Sequence, residues 1–462
     1  MELLLNRKVQ KVYSEINIPK KSKILANLLR ISVPAALETF LISVVGLADT
    51  VMVGGVGTNA LAAVSIAQQP VYISLAASVG FSAGVTAIVA RRRGEKNQPE
   101  AQKVLRQAII LGLITSLIFA VLTISLARPF LILTGANEDT LDLSATYLQI
   151  VTTALVFNYL RIIICSALRA VGDVGTTLLT NMIANTVNIA FNYCLINGHF
   201  GFPALGVAGA AIATVIGNTV AFLISVFIIR YKKSFVRIKL RDDWRFDKEC
   251  AEGIVTVSSS AFIEQIFMRI GFFMIAMIVN RLGTHLVAVN AIIAGIVSLS
   301  FSITDGFSIG VASLVGRSLG EKNEPLAFAY GRLSQILSFL IGLIMISLIL
   351  TFRYQLSMLF SDDETVINDA ANILRIAVFV VVPQSAQWVT TGILRGAGDI
   401  HYTARSAMLS IMIIRPVCSY LLCYPIGLGL LGSWIGMFID QTTRFALNDF
   451  RFENLKWAEM KV

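Results

Sequence analysis

The sequence predicts an all-α integral membrane protein with twelve transmembrane helices, arranged as two parallel six-helix repeats, an N-lobe and a C-lobe, around a central cavity. Composition is the first indication: 56% of the 462 residues are hydrophobic, 14% are charged and the mean hydropathy is +0.74, values outside the soluble globular range. The second is a series of apolar runs too long for the alternating strands of an outer-membrane barrel. The third is an internal repeat.

Apolar windows long enough to cross a bilayer follow one another along the chain. Each window predicts one helix, and Pro34 should bend the first because proline lacks an amide donor. The twelve windows are 26–53, 59–90, 104–133, 141–168, 176–198, 205–230, 252–281, 285–316, 327–352, 365–393, 404–425 and 428–448.

Basic side chains indicate how these helices are oriented. Of the 38 Lys and Arg residues, thirty fall on the side of the N-terminus and three on the opposite side, a bias that places both termini in the cytoplasm. We therefore expect an inner-membrane protein with a cytoplasmic N-terminal segment 1–25, a cytoplasmic linker 231–251 and a cytoplasmic tail 449–462. The net charge of +10 comes from the same loops, so no nucleic acid partner is expected.

The second half of the chain repeats the first at one constant offset, the repeat offset, which carries position 94 onto position 320. The sequence GEKNQP at 94–99 recurs as GEKNEP at 320–325, and LRAVGD at 168–173 recurs as LRGAGD at 394–399. Each half, 26–230 and 252–448, holds six windows. Because six is an even number, the two halves enter the membrane in the same direction and form parallel repeats. Rocking of such halves would expose a cavity between them to each side in turn.

One half carries polar groups that the other lacks. A carboxylate in hydrocarbon costs about 2.5–3.5 kcal/mol, so Asp49 within the first window calls for an ion, a proton or water. Asn188 and Asn192 are four residues apart and share a helix face, and Thr214 lies in the sixth window. Together these oxygen donors suit Na⁺ or a shared proton. The alternatives are an Asp49 hydrated at the headgroups, and amides that only join helices by hydrogen bonds.

Other polar residues in the windows are candidates for a substrate cavity. The repeat offset maps Glu38 onto Glu264 and Asn158 onto Gln384, whereas the second half adds Arg415. That arginine either pairs with a carboxylate such as Asp440 or binds substrate. The complete set of cavity candidates is Glu38, Asn158, Glu264, Gln384, Arg415 and Asp440.

Several of these stretches resemble the multidrug and toxic compound extrusion (MATE) family, and its NorM-like bacterial branch in the MOP flippase superfamily. They include ADTVMVG at 48–54, NIAFNY at 188–193 and the two repeated motifs, and the likeness runs over about 25–448. It implies two six-helix lobes, an ion site at Asp49, Asn188, Asn192 and Thr214, and Ala210 as a backbone-carbonyl ligand. NorM-type members have an acid where this chain has Gln384, which puts a second cation site with Glu264 in question.

The expected function is secondary active multidrug efflux, in which amphipathic and often cationic compounds leave in exchange for H⁺ or Na⁺. We expect no cofactor besides the coupling ion, no enzyme activity, small-molecule drugs or organic cations and membrane lipid as partners, and a monomer. One alternative is a lipid-linked oligosaccharide flippase of the same superfamily, although those usually have more spans and a more cationic cavity. Another is a membrane enzyme or scaffold, against which stands the absence of a nucleophile elbow, a zinc motif or a phosphate loop.

Overall fold

The computed structural model describes residues 20–232, 234–239 and 241–460, and among these residues it contains helices and no β-strand. Most of the predicted N-terminal segment, residues 1–19, and the last two residues of the tail lie outside this description. The α-helices are α1 (Lys21–Gly54), α2 (Thr58–Gly94), α3 (Gln98–Ser125), α4 (Ala127–Leu133), α5 (Glu138–Thr153), α6 (Leu155–Ala170), α7 (Val174–Asn197), α8 (Val207–Tyr231), α9 (Lys248–Asn280), α10 (Thr284–Gly320), α11 (Glu324–Met358), α12 (Glu364–Ala377), α13 (Val381–Ala397), α14 (Ile400–Ala407), α15 (Arg415–Cys423) and α16 (Leu430–Glu453). A π-helix, Met408–Ile414, joins α14 to α15, and short 3₁₀ turns occupy His199–Gly201 and Val378–Val380.

Each of the twelve predicted windows is occupied by one helix or by a broken helix, which confirms the all-α membrane fold. The fourth window is the pair α5 and α6, bent by 50°. Within the described residues, nine helices are long and apolar enough to cross a membrane, or ten if this bent pair is one span. The two predicted windows that are missing from the count of ten are those of α7 and α16. Both are helical, but both carry several Asn, Asp or Arg side chains that lower their hydropathy.

The described chain forms two compact units. Unit N comprises Phe40–Phe262, and unit C comprises the residues up to Thr39 together with Ile263–Val462. The part of α1 up to Thr39 therefore packs in unit C, and the beginning of α9 packs in unit N. The lobe boundaries 26–230 and 252–448 remain a prediction from the repeat.

Repeated glycines explain how the beginnings of α1 and α9 pack. In unit N, a Cβ on Gly84 of α2 would lie 2.5 Å from the hydroxyl oxygen of Ser258 on α9. In unit C, a Cβ on Gly310 of α10 would lie 2.5 Å from the hydroxyl oxygen of Ser32 on α1. Both glycines and both serines are related by the repeat offset. The same small-residue contact thus recurs in both units, as expected for close helix packing in membranes.

The GEKNxP motif forms the turn before α3 and before α11. Lys96 and Lys322 have positive φ angles of 58° and 56°, and the next residue caps the following helix in each case. The Asn97 side chain accepts a hydrogen bond from a backbone N–H at 3.2 Å, and that of Asn323 does so at 3.0 Å. Each helix has a proline in its first turn, where the missing N–H would be unpaired in any case. The motif therefore has a structural explanation.

The linker between the halves is docked onto α3 in unit N. The buried amide of Gln107 donates to the carbonyl of Arg245 at 2.7 Å and accepts from the backbone N–H of Asp247 at 3.2 Å. Lys103 Nζ lies 2.6 Å from Asp247 Oδ2. The hydrogen bond from Lys103 holds the pKa of the Asp247 carboxyl below its ordinary value. The linker is therefore tied to unit N by backbone and side-chain bonds.

Candidate functional site

The structure brings the predicted ion-site residues together within unit N. Asp49 comes from α1, and Asn188 and Asn192 come from one face of α7. Asn192 Nδ2 donates to Asp49 Oδ1 at 2.6 Å. With the Asn188 amide turned so that its nitrogen faces the carboxylate, that nitrogen lies 3.0 Å and 3.3 Å from the two Asp49 oxygens. Two amides from neighbouring turns therefore surround a single carboxylate.

Small residues on α8 let that helix approach α7 closely. A Cβ on Gly209 would lie 2.6 Å from the carbonyl carbon of Leu195, and one on Gly217 would lie 3.0 Å from the Asn188 Cβ. Ala210 and Thr214 follow on α8, one turn apart. The Thr214 hydroxyl donates to the Ala210 carbonyl at 3.0 Å. This packing brings both predicted α8 ligands beside the asparagines of α7.

These residues line a cavity of about 90 Å³. Its wall includes Asp49, Asn192, Ala210 and Thr214, and also Tyr147 from α5. Tyr147 is buried and lines the same cavity as Thr214. The cavity is large enough for a hydrated monovalent ion, since a water molecule occupies about 30 Å³. Its remaining lining residues are Gly46, Thr50, Val53, Leu61, Val64, Ser65 and Gln68.

One buried oxygen at this site has no hydrogen-bond partner in the part of the chain that the structure describes. Asn192 is 1% exposed, and its Oδ1 accepts no hydrogen bond from those residues, because the amide directs its nitrogen to Asp49. An unsatisfied buried acceptor costs about 1–3 kcal/mol unless something fills the vacant interaction. A cation beside Asp49 would use this oxygen after rotation of the amide. The donor set therefore fits a hard monovalent cation.

In unit C, Glu264 is paired with an arginine. Its Oε1 lies 2.8 Å from Arg395 Nη2, and the Thr403 hydroxyl donates to its Oε2 at 3.3 Å. Glu264 is 2% exposed. Of the two roles that its charge suggests, attraction of a cationic substrate or pairing with an arginine, the geometry favours pairing.

Gln384 is not a partner of Glu264 in this structure. It lies on α13, the helix that carries Arg395 near its end, and the two positions are separated by about 16 Å along the helix axis. Gln384 is buried, and its Oε1 has no hydrogen-bond partner among the described residues. The sequence left open whether the two side chains form one site, because the repeat relates positions along each helix but not the depth at which two helices meet.

The remaining candidates have structural neighbours. Asn158 accepts a hydrogen bond from Arg161 Nη2 at 2.8 Å, and the same guanidinium donates to Asn181 at 2.7 Å. Glu38 lies in the part of α1 that belongs to unit C and is 3% exposed. These positions stay candidates for substrate contact.

Arg415 and Asp440 do meet, as one of the two predicted alternatives requires. Arg415 Nη1 lies 4.0 Å from Asp440 Oδ2, at the limit of an ion pair. A closer partner comes from the same helix as the acid, because Arg444 Nε lies 3.2 Å from Asp440 Oδ1. The Ser410 hydroxyl also donates to Oδ1, at 2.6 Å. One carboxylate thus serves two arginines.

Sequence reasoning did not single out Arg395 or Tyr147. A signal for Arg395 existed, since both the arginine of the repeated LRxxGD motif and Glu264 recur at the repeat offset. An acidic and a basic side chain that both recur at the repeat offset indicate an ion pair. Tyr147 had no comparable signal, because it is one aromatic residue in an apolar window.

Comparisons with known proteins agree with this architecture. A family model described as MatE matches residues 34–194 and 260–421. A probable multidrug resistance protein NorM of Thermotoga maritima is 27% identical over 450 residues, covering 96% of each chain. An uncharacterized transporter YisQ of Bacillus subtilis is 24% identical and covers 97% of this chain and 99% of its own length. A solved structure, the outward-facing conformation of a multidrug resistance MATE family transporter of the MOP superfamily, superimposes with a TM-score of 0.87 at 24% identity over 96% of this chain and 100% of that one.

Proposed function

The chain belongs to the MatE family of membrane transporters, and from that premise we propose that it is a secondary active antiporter that exports amphipathic, often cationic compounds in exchange for Na⁺ or H⁺. The observation that carries the coupling role is the Asp49 site. It combines a carboxylate, two amides and a free buried amide oxygen in a cavity within unit N. No further cofactor enters the proposal.

Asp49 would alternate between a free and an ion-bound state. In the structure the amide nitrogen of Asn192 faces the carboxylate and stabilises its negative charge, and the amide nitrogen of Asn188 does the same once that amide is turned. When a cation arrives, rotation of these amides presents their oxygens instead, and the Ala210 carbonyl and the Thr214 hydroxyl add two more. A proton would need only Asp49 and a hydrogen-bond acceptor. Either event neutralises a charge that is costly in the membrane interior.

Support for the exported compounds comes from relatives. Curated relatives such as the Thermotoga maritima protein are named as probable multidrug resistance proteins. A positively charged substrate would leave as the coupling ion enters, which is the exchange expected of alternating access between two lobes. We further propose an inner-membrane location with both termini in the cytoplasm, a monomer, and lipid around the apolar helix faces, on the basis of the charge bias and the exposed apolar side chains.

Transport by the purified protein in liposomes tests this function. Efflux of a fluorescent organic cation is followed under an imposed Na⁺ gradient and, separately, under an imposed H⁺ gradient. The proposal requires that one gradient drive efflux and that a conducting ionophore for that ion abolish it. Equal efflux with and without either gradient would contradict antiport.

A further inference from the structure

A buried cluster in unit C carries more positive than negative charge. Its members are Arg415 on α15 and Asp440 and Arg444 on α16, with side chains 9%, 0% and 3% exposed. Within the described residues, no carboxylate other than Asp440 lies within 4.0 Å of either guanidinium. Two guanidinium groups and one carboxylate leave one net positive charge. We propose that this cluster binds an anionic group, a carboxylate of the substrate or a free anion, through Arg415.

Asp440 is already occupied by other donors. Arg444 Nη2 donates to its Oδ2 at 3.4 Å, and the Ser410 hydroxyl donates to its Oδ1 at 2.6 Å. The Arg415 guanidinium approaches Asp440 only to 4.0 Å and makes no hydrogen bond to any described residue, and it lies 5.4 Å from the Phe272 ring centroid. A planar guanidinium can bind a carboxylate with two parallel N–H bonds. That capacity is unused in Arg415.

The local backbone directs Ser410 and Arg415 toward the same carboxylate. In an α-helix, residues five apart point about 140° away from each other. Here the intervening segment, Met408–Ile414, is π-helical, and the Arg415 N–H donates to the Ser410 carbonyl five residues earlier. Pro416 follows and has no N–H to donate. The widened turn brings both side chains to Asp440, and such π-helical turns often occur at functional sites.

The repeat gives this cluster a counterpart of opposite charge. The second half of the chain is slightly shorter than the first half between α15 and α16, so the repeat offset changes there. The alignment that places Leu428 on Leu205 also places Asp440 on Gly217. Gly217 packs on Asn188 in unit N, and Asn188 maps onto Ile414, the residue before Arg415. The place where α7 meets α8 in unit N therefore holds the amides beside Asp49, and the equivalent place where α15 meets α16 in unit C holds an excess arginine. The second place is suited to an anion where the first is suited to a cation.

Close packing holds the cluster in place. Gly436 lies one turn before Asp440, and a Cβ there would lie 2.9 Å from the Ser419 backbone nitrogen, one turn after Arg415. Gly432 contacts the Leu422 and Cys423 backbone one turn further. The two helices therefore meet at a fixed register that sets Arg415 opposite Asp440. A buried arginine that lacks a full partner costs several kcal/mol, and an anion would remove that cost.

Two probes that differ by one carboxylate test the site. Calorimetry on the full-length protein in lipid nanodiscs measures binding of benzyltrimethylammonium and of (4-carboxybenzyl)trimethylammonium, with benzoate as a third ligand. We expect the carboxylated cation to bind about tenfold more tightly than its parent, since a charged hydrogen bond contributes about 1.5–3 kcal/mol. Arg415→Gln should remove this difference and leave binding of benzyltrimethylammonium within about twofold. Arg281→Gln, a change of an exposed arginine, should preserve it.

Benzoate distinguishes the two sources of the anion and does not depend on the proposed export of cations. If benzoate binds alone and Arg415→Gln abolishes its binding, the site takes free anions. If only the carboxylated cation gains affinity through Arg415, the site takes a carboxylate of the substrate. If neither ligand shows binding that depends on Arg415, the cluster is structural and the proposal is wrong. The Arg415→Gln, Asp440→Asn double variant, which removes one charge of each sign, provides the same comparison if the single variant does not fold.

Discussion

Asn192 presents its amide nitrogen, not its oxygen, to Asp49, at 2.6 Å. A carboxylate without an ion needs donors, and a carboxylate with a bound cation needs neighbouring acceptors. An asparagine serves both states because its amide offers either group after rotation. The buried Asn192 oxygen without a partner is the acceptor that the ion-bound state would use.

We predict that Asp49→Asn reduces gradient-driven efflux to the level of passive leak. The amide has nearly the same shape as the carboxylate, so the protein should fold and insert, but its charge cannot alternate. Dye efflux from proteoliposomes measures the effect, and Asp139→Asn, a change of an exposed acid, serves as the control. Wild-type efflux by the Asp49 variant would show that coupling occurs elsewhere.

Replacement of a neutral ligand should weaken ion binding without ending coupling. We predict that Asn192→Ala raises the half-saturating concentration of the driving ion about tenfold, because one hydrogen-bonding group contributes about 1 kcal/mol or somewhat more. Asn185→Ala on the same helix is a matched control, since Asn185 Nδ2 makes no hydrogen bond to any residue that the structure describes and Asn185 does not line the cavity. An unchanged ion dependence in Asn192→Ala would favour a purely structural role.

Much of the site was predictable because few side chains explain a carboxylate in an apolar helix. Asp49 stood out by its cost in hydrocarbon, and the four-residue spacing of Asn188 and Asn192 placed them on one face. The orientation of the Asn192 amide was not predictable, because neighbours distant in sequence determine it. Twelve helices followed from hydropathy, whereas the packing of the beginning of α1 in unit C depends on Ser32 meeting Gly310 across the chain.

In the second half of the chain, the internal repeat does not predict which side chains contact each other. The repeat offset left open whether Glu264 and Gln384 form one site, because it relates like positions in two halves and gives no distance between two helices of one half. Only the folded chain shows that Glu264 reaches Arg395, about three turns away from Gln384 along α13.

The linker should loosen from unit N at acid pH. The pKa of Asp247 is lowered mainly by Lys103, so the ionised carboxylate stabilises the docked state above the ordinary value of 3.8, and this contribution disappears as pH falls through the lower folded pKa. We predict that Trp244 fluorescence in the linker changes over that range. Asp247→Asn should show the acid spectrum already at neutral pH, and Trp244→Phe identifies the signal. If the fluorescence of Asp247→Asn does not change with pH and equals that of the wild type at pH 7, Asp247 does not hold the linker in its docked state.

The pair between Glu264 and Arg395 should contribute to stability and not to coupling. Glu264→Gln leaves a mostly buried guanidinium without its carboxylate, and breaking a buried pair costs about 3–5 kcal/mol. Arg395→Gln leaves the carboxylate unpaired at 2% exposure and should cost as much. We predict that each single variant unfolds at a clearly lower temperature and that the double variant recovers most of the loss, since it buries no lone charge. The driving ion and its half-saturating concentration should stay the same in every variant that folds.

Gln384→Asp provides the contrast to these variants. Because position 384 lies about 16 Å from Arg395 along α13, a new carboxylate there should neither bind a cation together with Glu264 nor alter the ion dependence of transport. A double variant that is no more stable than the single ones, or a Glu264→Gln protein that folds normally and no longer responds to the ion gradient, would show that Glu264 belongs to the coupling machinery.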